Sequence, residues 1–289
     1  MCANELLSPP DIAPNDRGFW LGGGTLAQDT RRIAPRHHHA HGQIFGIESG
    51  VMVFHTERAF WSVGPGQVLW LPHDLPHEAR SHGAIAGWTL YLHPARSVAL
   101  PDTPFLTEGT PLLNAQAERL ARTTQGKAIS GPTSRLAETF WDEWIALPRK
   151  KAALVIPSDP RLRRVTDQLE TMPDDKRTQA EWAEHAGMSL RSFVRHFRAD
   201  TGTGFASWLQ KLRMIEAQRR LARGERVTDV ALAVGYESTG AFSSIFRRIT
   251  GYRPSRFAAS VSSSFEFDRV HCEPLAPADD LHVLSDVRE

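Results

Sequence analysis

The sequence predicts an α+β protein in two parts: a β-rich N-terminal barrel with flanking helices, and an all-α C-terminal domain. Three observations carry this prediction. Residues 20–93 hold short runs rich in β-branched and aromatic side chains, separated by turn clusters. From about residue 112 the apolar spacing becomes helical. Between residues 182 and 251 a helix, glycine turn, helix unit occurs twice. A chain of 289 residues is long enough for two domains, each with its own core.

Composition narrows the class. With 41% hydrophobic and 23% charged residues the chain reads as a globular protein, and no apolar run approaches the roughly 20 residues that span a bilayer. The start, MCANELLSPPDIAPND, has neither a basic nor an apolar leader region, so a cytoplasmic protein without membrane contact is expected. The two cysteines, Cys2 and Cys272, stand almost a chain length apart, which fits a reducing compartment. The net charge of +1 conceals an uneven distribution. Residues 1–156 carry 14 Lys/Arg against 14 Asp/Glu, residues 157–260 carry 18 against 12, and residues 261–289 carry 2 against 7. A basic segment between neutral and acidic ones suits an anionic partner, of which nucleic acid is the commonest.

Taken in order, VMVFH (51–55), AFWSV (59–63) and QVLWL (67–71) read as strands, set apart by Gly64-Pro65-Gly66 and followed by Pro72-His73-Asp74. Such a density of short strands suggests a sandwich or small barrel. Helices follow near 112–125 and 132–147. In the second, Leu136, Phe140 and Trp144 recur at i, i+4 and i+8, a stripe for packing on the barrel or on a second copy in a homodimer. Together these elements form a first domain, 20–150. Arg149-Lys150-Lys151 and the stretch from Pro157 to Pro160 read as a linker. A second domain spans 157–259. The acidic segment 260–289 reads as a flexible tail, with a short strand at Phe265 to Phe267.

The repeat defines the second domain. WAEHAGMSLRSFVRHFRADTG is matched by VALAVGYESTGAFSSIFRRITG: Ala183 and Gly187 recur as Ala231 and Gly235, and Phe193, Phe197 and Gly202 as Phe242, Phe246 and Gly251. Thr178 and Glu181 have capping-box spacing, and Ser189 and Ser238 stand where the second helix of each unit needs an N-cap. The glycines suit a left-handed turn between helices. With the phenylalanines facing inward, Arg191, Arg195 and Arg198 face wholly or partly outward. This is the helix-turn-helix arrangement, whose second helix enters the major groove of DNA. FASWLQKLRMIEAQRRLARG, between the copies, forms one strut of about 19 residues, roughly 28 Å long. It is suited to hold two recognition helices near one DNA turn apart.

Residues from about 160 to 259 resemble the DNA-binding domain of the AraC/XylS family of bacterial transcription regulators. The stretch VTDVALAVGYESTGAFSSIFRRITGYRPSRF follows the family signature through Gly235-Tyr236, Ser238, Phe242, Phe246 and Gly251-Tyr252-Arg253-Pro254; Phe205 departs from it where the repeat calls for a proline. The resemblance implies that Arg191, Val194 and Arg195, with Arg198 beside them, face one major groove, and Thr239, Gly240, Ser243 and Ser244 the next. Arginine grips guanine O6 and N7 with two donors, so the first helix supplies most base readout. Arg247, Arg248 and Arg253 read as phosphate contacts. Promoter DNA is the implied partner, with RNA polymerase a further one. The chain looks closest to family members encoded beside efflux transporters.

The histidines of RHHHAHGQIFGIESG can then be placed. His37-x-His39-x3-Gln43-x6-Gly50 and Gly66-x5-Pro72-x-Asp74-x2-His77 resemble the two cupin motifs, over roughly residues 30–93. Gln43 replaces the motif's Glu, and Asp74 a Gly. The resemblance implies a metal set of His37, His39, Gln43 and His77 for one divalent transition metal, Zn, Ni, Fe or Mn, at a site lacking the usual carboxylate. Two other readings remain open: pocket lining for an organic ligand, and surface histidines. His38, of opposite strand parity to His37 and His39, and His41, next to the turn near Gly42, read as exposed. Phe45, Phe54, Trp61, Trp70 and Trp88 either wall an effector cavity or fill the barrel. The expected function is a DNA-binding transcriptional regulator whose cupin-like domain senses a small molecule or metal, and which is not an enzyme. The alternative is a dioxygenase-like cupin metalloenzyme fused to a DNA-binding domain.

Overall fold

A computed structural model describes residues 20–124, 129–150 and 153–262. The N-terminal part is a pair of antiparallel five-stranded sheets. The first runs, in spatial order, β1 (Leu21–Gln28), β8 (Ile85–Leu92), β3 (Gly42–Ser49), β6 (Gln67–Leu71) and β9 (Phe105–Glu108). The second runs β10 (Leu154–Val155), β5 (Ala59–Val63), β4 (Met52–His55), β7 (His77–Ser81) and β2 (Ile33–His37). Strand alternation sorts the side chains. Phe45, Ile47, Phe54, Trp61, Leu69 and Leu71 form the core between the sheets.

The opposite face of the first sheet is also covered. After the short helix α1 (Pro94–Ser97), α2 (Pro111–Thr123) and α3 (Gly131–Ala146) lie over it, with Trp70, Trp88, Phe140 and Trp144 in one buried cluster. Thr110 caps α2 through Leu113 N–H at 3.0 Å. Phe140 and Trp144, with Leu136 partly buried beside them, pack on this chain's own barrel. Trp70 and Trp88 therefore lie on the opposite side of their sheet from Phe45, Phe54 and Trp61. The five aromatics do not share one cavity.

The segment expected to be a linker is structured where it is described. Lys150 bridges to Leu106, and β10 adds to the edge of β5, with Leu154 opposite Phe60. Such a linker holds the next domain against the sheet. The predicted strand at Phe265 to Phe267, and most of the acidic tail, fall outside the described residues.

The C-terminal part comprises α4 (Pro160–Thr171), α5 (Gln179–His185), α6 (Leu190–Thr201), α7 (Phe205–Ala222), α8 (Val227–Ala233), α9 (Thr239–Thr250) and α10 (Pro254–Ser262). The capping box at Thr178 and Glu181 is formed, and Ser189 and Ser238 cap α6 and α9. Gly187 and Gly235 turn left-handed at φ 66° and 82°. α7 is the strut. Its Arg213 donates to the carbonyls of Pro173 and Asp175, and packs so near Gly235 that an added Cβ would lie 3.0 Å from the guanidinium. One core holds both units: Phe193, Phe197 and Trp208 on one side, Phe242, Phe246 and Phe257 on the other.

Candidate sensor and nucleic-acid sites

Two sites are candidates, one of histidines in the β domain and one of arginines in the helical domain. β2 ends in a register shift that sets His37 directly across from His77 at the start of β7, with ring centroids 4.5 Å apart. His39 lies beyond the end of β2, so strand parity places only His37. The connection to β3 brings the His39 ring to 5.2 Å from His77 and 6.0 Å from His37. One ring nitrogen of each histidine lies within 4.8 Å of those of the other two. His39 and His77 are buried, His38 is exposed as expected, and His37 and His41 are both half-buried, so His41 is less exposed than its place in the sequence suggests. Among the described residues this is the one group of three or more His, Cys, Asp or Glu side chains close enough to hold a metal ion.

The hydrogen bonds fix the imidazoles chemically. Each Nδ1 meets a main-chain carbonyl: His37 that of Pro35 at 2.7 Å, His39 that of His41 at 2.6 Å, and His77 that of Leu75 at 2.8 Å. A carbonyl only accepts, so each Nδ1 carries the proton and each Nε2 keeps a lone pair. His39 Nε2 then faces Gln43 Oε1 at 3.4 Å, one acceptor toward another. On its other side the amide Nε2 donates to Thr89 Oγ1 at 2.9 Å and Tyr91 Oη at 3.2 Å. Thr89 and Tyr91 carry no motif signal; β8 delivers them because it pairs with β3, placing Tyr91 opposite Gln43. Burial holds the His39 and His77 imidazoles below the ordinary histidine range, His77 at about 4, so both are neutral at pH 7. Neutral imidazoles and an amide oxygen fit a borderline transition metal better than Ca or Mg. Asp74, where the motif has a glycine, adopts the left-handed conformation at φ 56°.

Phe54 borders the cluster, its ring 6.4 Å from His77, and Phe45 stacks edge-on against Phe54 at 4.9 Å. Trp61 belongs to the same inter-sheet core. Trp70 instead donates its indole N–H to the Pro101 carbonyl at 2.8 Å, beside a cavity of about 260 Å³ lined by Pro72, Val98, Leu100 and Asp102.

On the C-terminal domain, Arg191, Val194, Arg195 and Arg198 are all exposed on α6 while Phe193 and Phe197 are buried beneath them. On α9, Gly240, Ser244, Arg247 and Arg248 are exposed, and Thr239 and Ser243 are half-buried; Arg253 is exposed beyond it. The units differ in freedom. Arg195 Nη2 meets the neighbouring His196 at 3.1 Å on the surface, whereas Arg248 Nη2 is tied back to Gln210 of α7 at 2.7 Å. Ser244 Oγ donates to its own helix at Gly240 O. Among the described residues no helix is long and apolar enough to cross a membrane.

A ligand-binding β domain carried on a two-unit helix-turn-helix domain defines a ligand-responsive, DNA-binding transcriptional regulator. Comparison with known proteins agrees. Residues 24–126 match the AraC-like ligand binding domain, and residues 182–260 match a helix-turn-helix domain family. The HTH-type transcriptional regulator NimR of Escherichia coli K12 is 28% identical over 230 residues, covering 80% of this chain and 84% of NimR. The RCS-specific HTH-type transcriptional activator RclR of the same organism is 31% identical over 226 residues, covering 70% of this chain and 78% of RclR. The solved DNA-binding domain of AdpA, in complex with a target DNA, is 31% identical and covers 37% of this chain and 96% of that one, at a TM-score of 0.35. The chain belongs to the AraC family of transcriptional regulators.

Proposed function

We propose that this regulator senses through a divalent transition metal held by His37, His39 and His77 with Gln43 Oε1, and reads its promoter chiefly with α6. One observation carries the metal reading: three carbonyls take up the Nδ1–H groups of three imidazoles, leaving three Nε2 atoms and an amide oxygen clustered together. Outer hydrogen bonds of this kind orient metal-ligating histidines. A cation is what such a set of acceptors lacks. The regulator acts in the cytoplasm as a homodimer that contacts RNA polymerase, and the cluster serves binding, not turnover.

Elemental analysis of untagged protein, with a His37→Ala/His77→Ala variant beside it, tests the metal. Near-stoichiometric metal that the variant loses is the expected result; metal-free wild type that folds and binds DNA makes the histidines pocket lining. For the DNA, Arg195→Ala is expected to cost about 1–3 kcal/mol at one base pair and relax the preference there. Arg248→Ala is expected to weaken all sequences alike and to lower the salt slope by about one. Equal effects of the two on cognate and random DNA overturn the division of labour between α6 and α9.

A further inference from the structure

The histidine cluster has an electrostatic consequence that reaches the effector itself. Its donor set supplies no negative charge: three imidazoles and one amide. Among the described residues the group contains no Asp or Glu. The titratable groups felt by His39 and His77 are only other imidazoles of the cluster. One step further out, the hydroxyl that holds Gln43 belongs to Tyr91, and the ion beside Tyr91 is a cation, the buried Arg32. A divalent ion placed here brings two positive charges to a donor set that supplies no negative one.

Buried charge is stable only when paired, and a doubly charged ion is the largest local charge in its site. The residue that would have supplied a countercharge is Gln43, 2% exposed and locked by Thr89 and Tyr91 with only its neutral oxygen toward His39. Among the described residues no carboxylate joins the donor set, which leaves compensation to an incoming ligand. The way in lies on the His37 side, where the ring is half-exposed and His38 is in solvent. Three histidine nitrogens also leave coordination positions to an incoming ligand.

From this we infer that the effector is a small anionic ligand that binds directly to the metal held by His37, His39 and His77, and that Gln43 creates the need for it by withholding the carboxylate. The inference rests on the metal reading above. It assigns the ligand a chemical class: a compact anion with a carboxylate, thiolate or similar donor atom. Neutral aromatic effectors are disfavoured, because they leave the charge uncompensated. Gln43 is accordingly a specificity-determining residue, and a glutamate there would act as a built-in competitor.

The test uses the full chain loaded with Co²⁺, whose visible bands report its ligands, and azide as the probe anion. Saturable change of the wild-type bands on azide addition, at constant ionic strength, is the expected result. Gln43→Glu is expected to keep the Co²⁺ bands and to lose azide affinity by about tenfold or more. Wild-type bands that form but stay unchanged through high azide overturn the inference and leave the metal reading standing. The absence of Co²⁺ bands at the cluster, with His77→Ala as the reference, overturns both. The wild-type titration decides the matter even if the variant fails to fold.

Discussion

The two sheets of the barrel are covered on their outer faces by different materials, and the difference locates the movable joint of this regulator. Over the first sheet, α2 and α3 lay down an aromatic layer in which Phe105 stacks on Trp144 at 5.6 Å and Trp88 meets Phe140 edge-on at 6.4 Å. Over the second sheet lies the DNA-binding domain. Val51, just before β4, and Val53 and Phe60 of β4 and β5 join its core, but polar contacts surround them: Ser62 Oγ donates to Gln218 at 2.9 Å, Tyr252 to the Pro65 carbonyl at 3.3 Å, and Arg219 approaches His55 at 3.5 Å. Both faces bury nitrogens without partners. On the helical side they are the indoles of Trp88 and Trp144; around the seam they are Arg80 Nε, Arg219 Nε and His82 Nε2. A guanidinium N–H without an acceptor costs more than an indole N–H without one, although Arg80 and Arg219 keep contacts to Glu78 and Glu216 through their outer nitrogens, so the seam is the face closer to letting go. The same sheet also carries the sensor on its inner face, where β2 and β7 bear His37 and His77 beside Phe54.

The largest effect should come from the permanent face. Phe140→Ala removes a fully buried ring and should destabilise the barrel by about 3–5 kcal/mol in urea unfolding, while DNA binding by protein that remains folded stays intact. Next comes the seam itself. Gly83, in the β7–β8 turn at φ 112°, lies so close to α7 that an added Cβ would sit 2.4 Å from the Ala222 carbonyl. Gly83→Ala combines that clash with backbone strain of about 1–3 kcal/mol. It should part the domains without unfolding either, seen as two calorimetric transitions in place of one and faster proteolysis near residue 156. A single unchanged transition would mean that the two faces are equally rigid.

This contrast explains what was readable in the sequence and what was not. The helix-turn-helix units were legible because their determinants are local: a cap three residues from its amide, phenylalanines four apart, a glycine where the chain turns left-handed. His37 and His77 were legible as motif spacing. Trp70 and Trp88 were not placed, because alternation sorts residues onto two faces without saying which face meets the second sheet when both are buried. β10 escaped notice since a two-residue strand owes its pairing to β5, far away in sequence. The seam left no signal at all: Ser62 and Gln218 stand 156 positions apart.

Acid should act on the seam before the helical face. Burial, then Arg219 and Arg80, hold the His55 imidazole down at about 4, although Glu78 opposes them, and burial with Arg219, Arg223, Arg31 and Arg80 holds His82 at about 3. The unfolded or undocked chain, with ordinary histidines near 6.5, takes up protons first as pH falls. The stability of the docked state is therefore full above about 6.5 and is lost progressively toward 4. His55→Gln should flatten part of that slope, while Phe140→Ala should leave it unchanged.

The smallest expected effect is the most discriminating. Ser62→Ala removes a donor and leaves Gln218 Oε1 unmet at a residue only 7% exposed, a loss of about 1–2 kcal/mol from docking. Gln218→Leu removes the acceptor instead. Combining the two replaces a hydrogen bond by apolar contact, and should recover much of the loss, because neither polar group is then buried alone. A coupling energy near zero in this cycle would mean the bond is incidental to the seam. A measurable one carries a functional corollary: the double variant holds the domains together without a polar contact that must be broken and remade. It should bind promoter DNA normally while responding less to effector than either single variant.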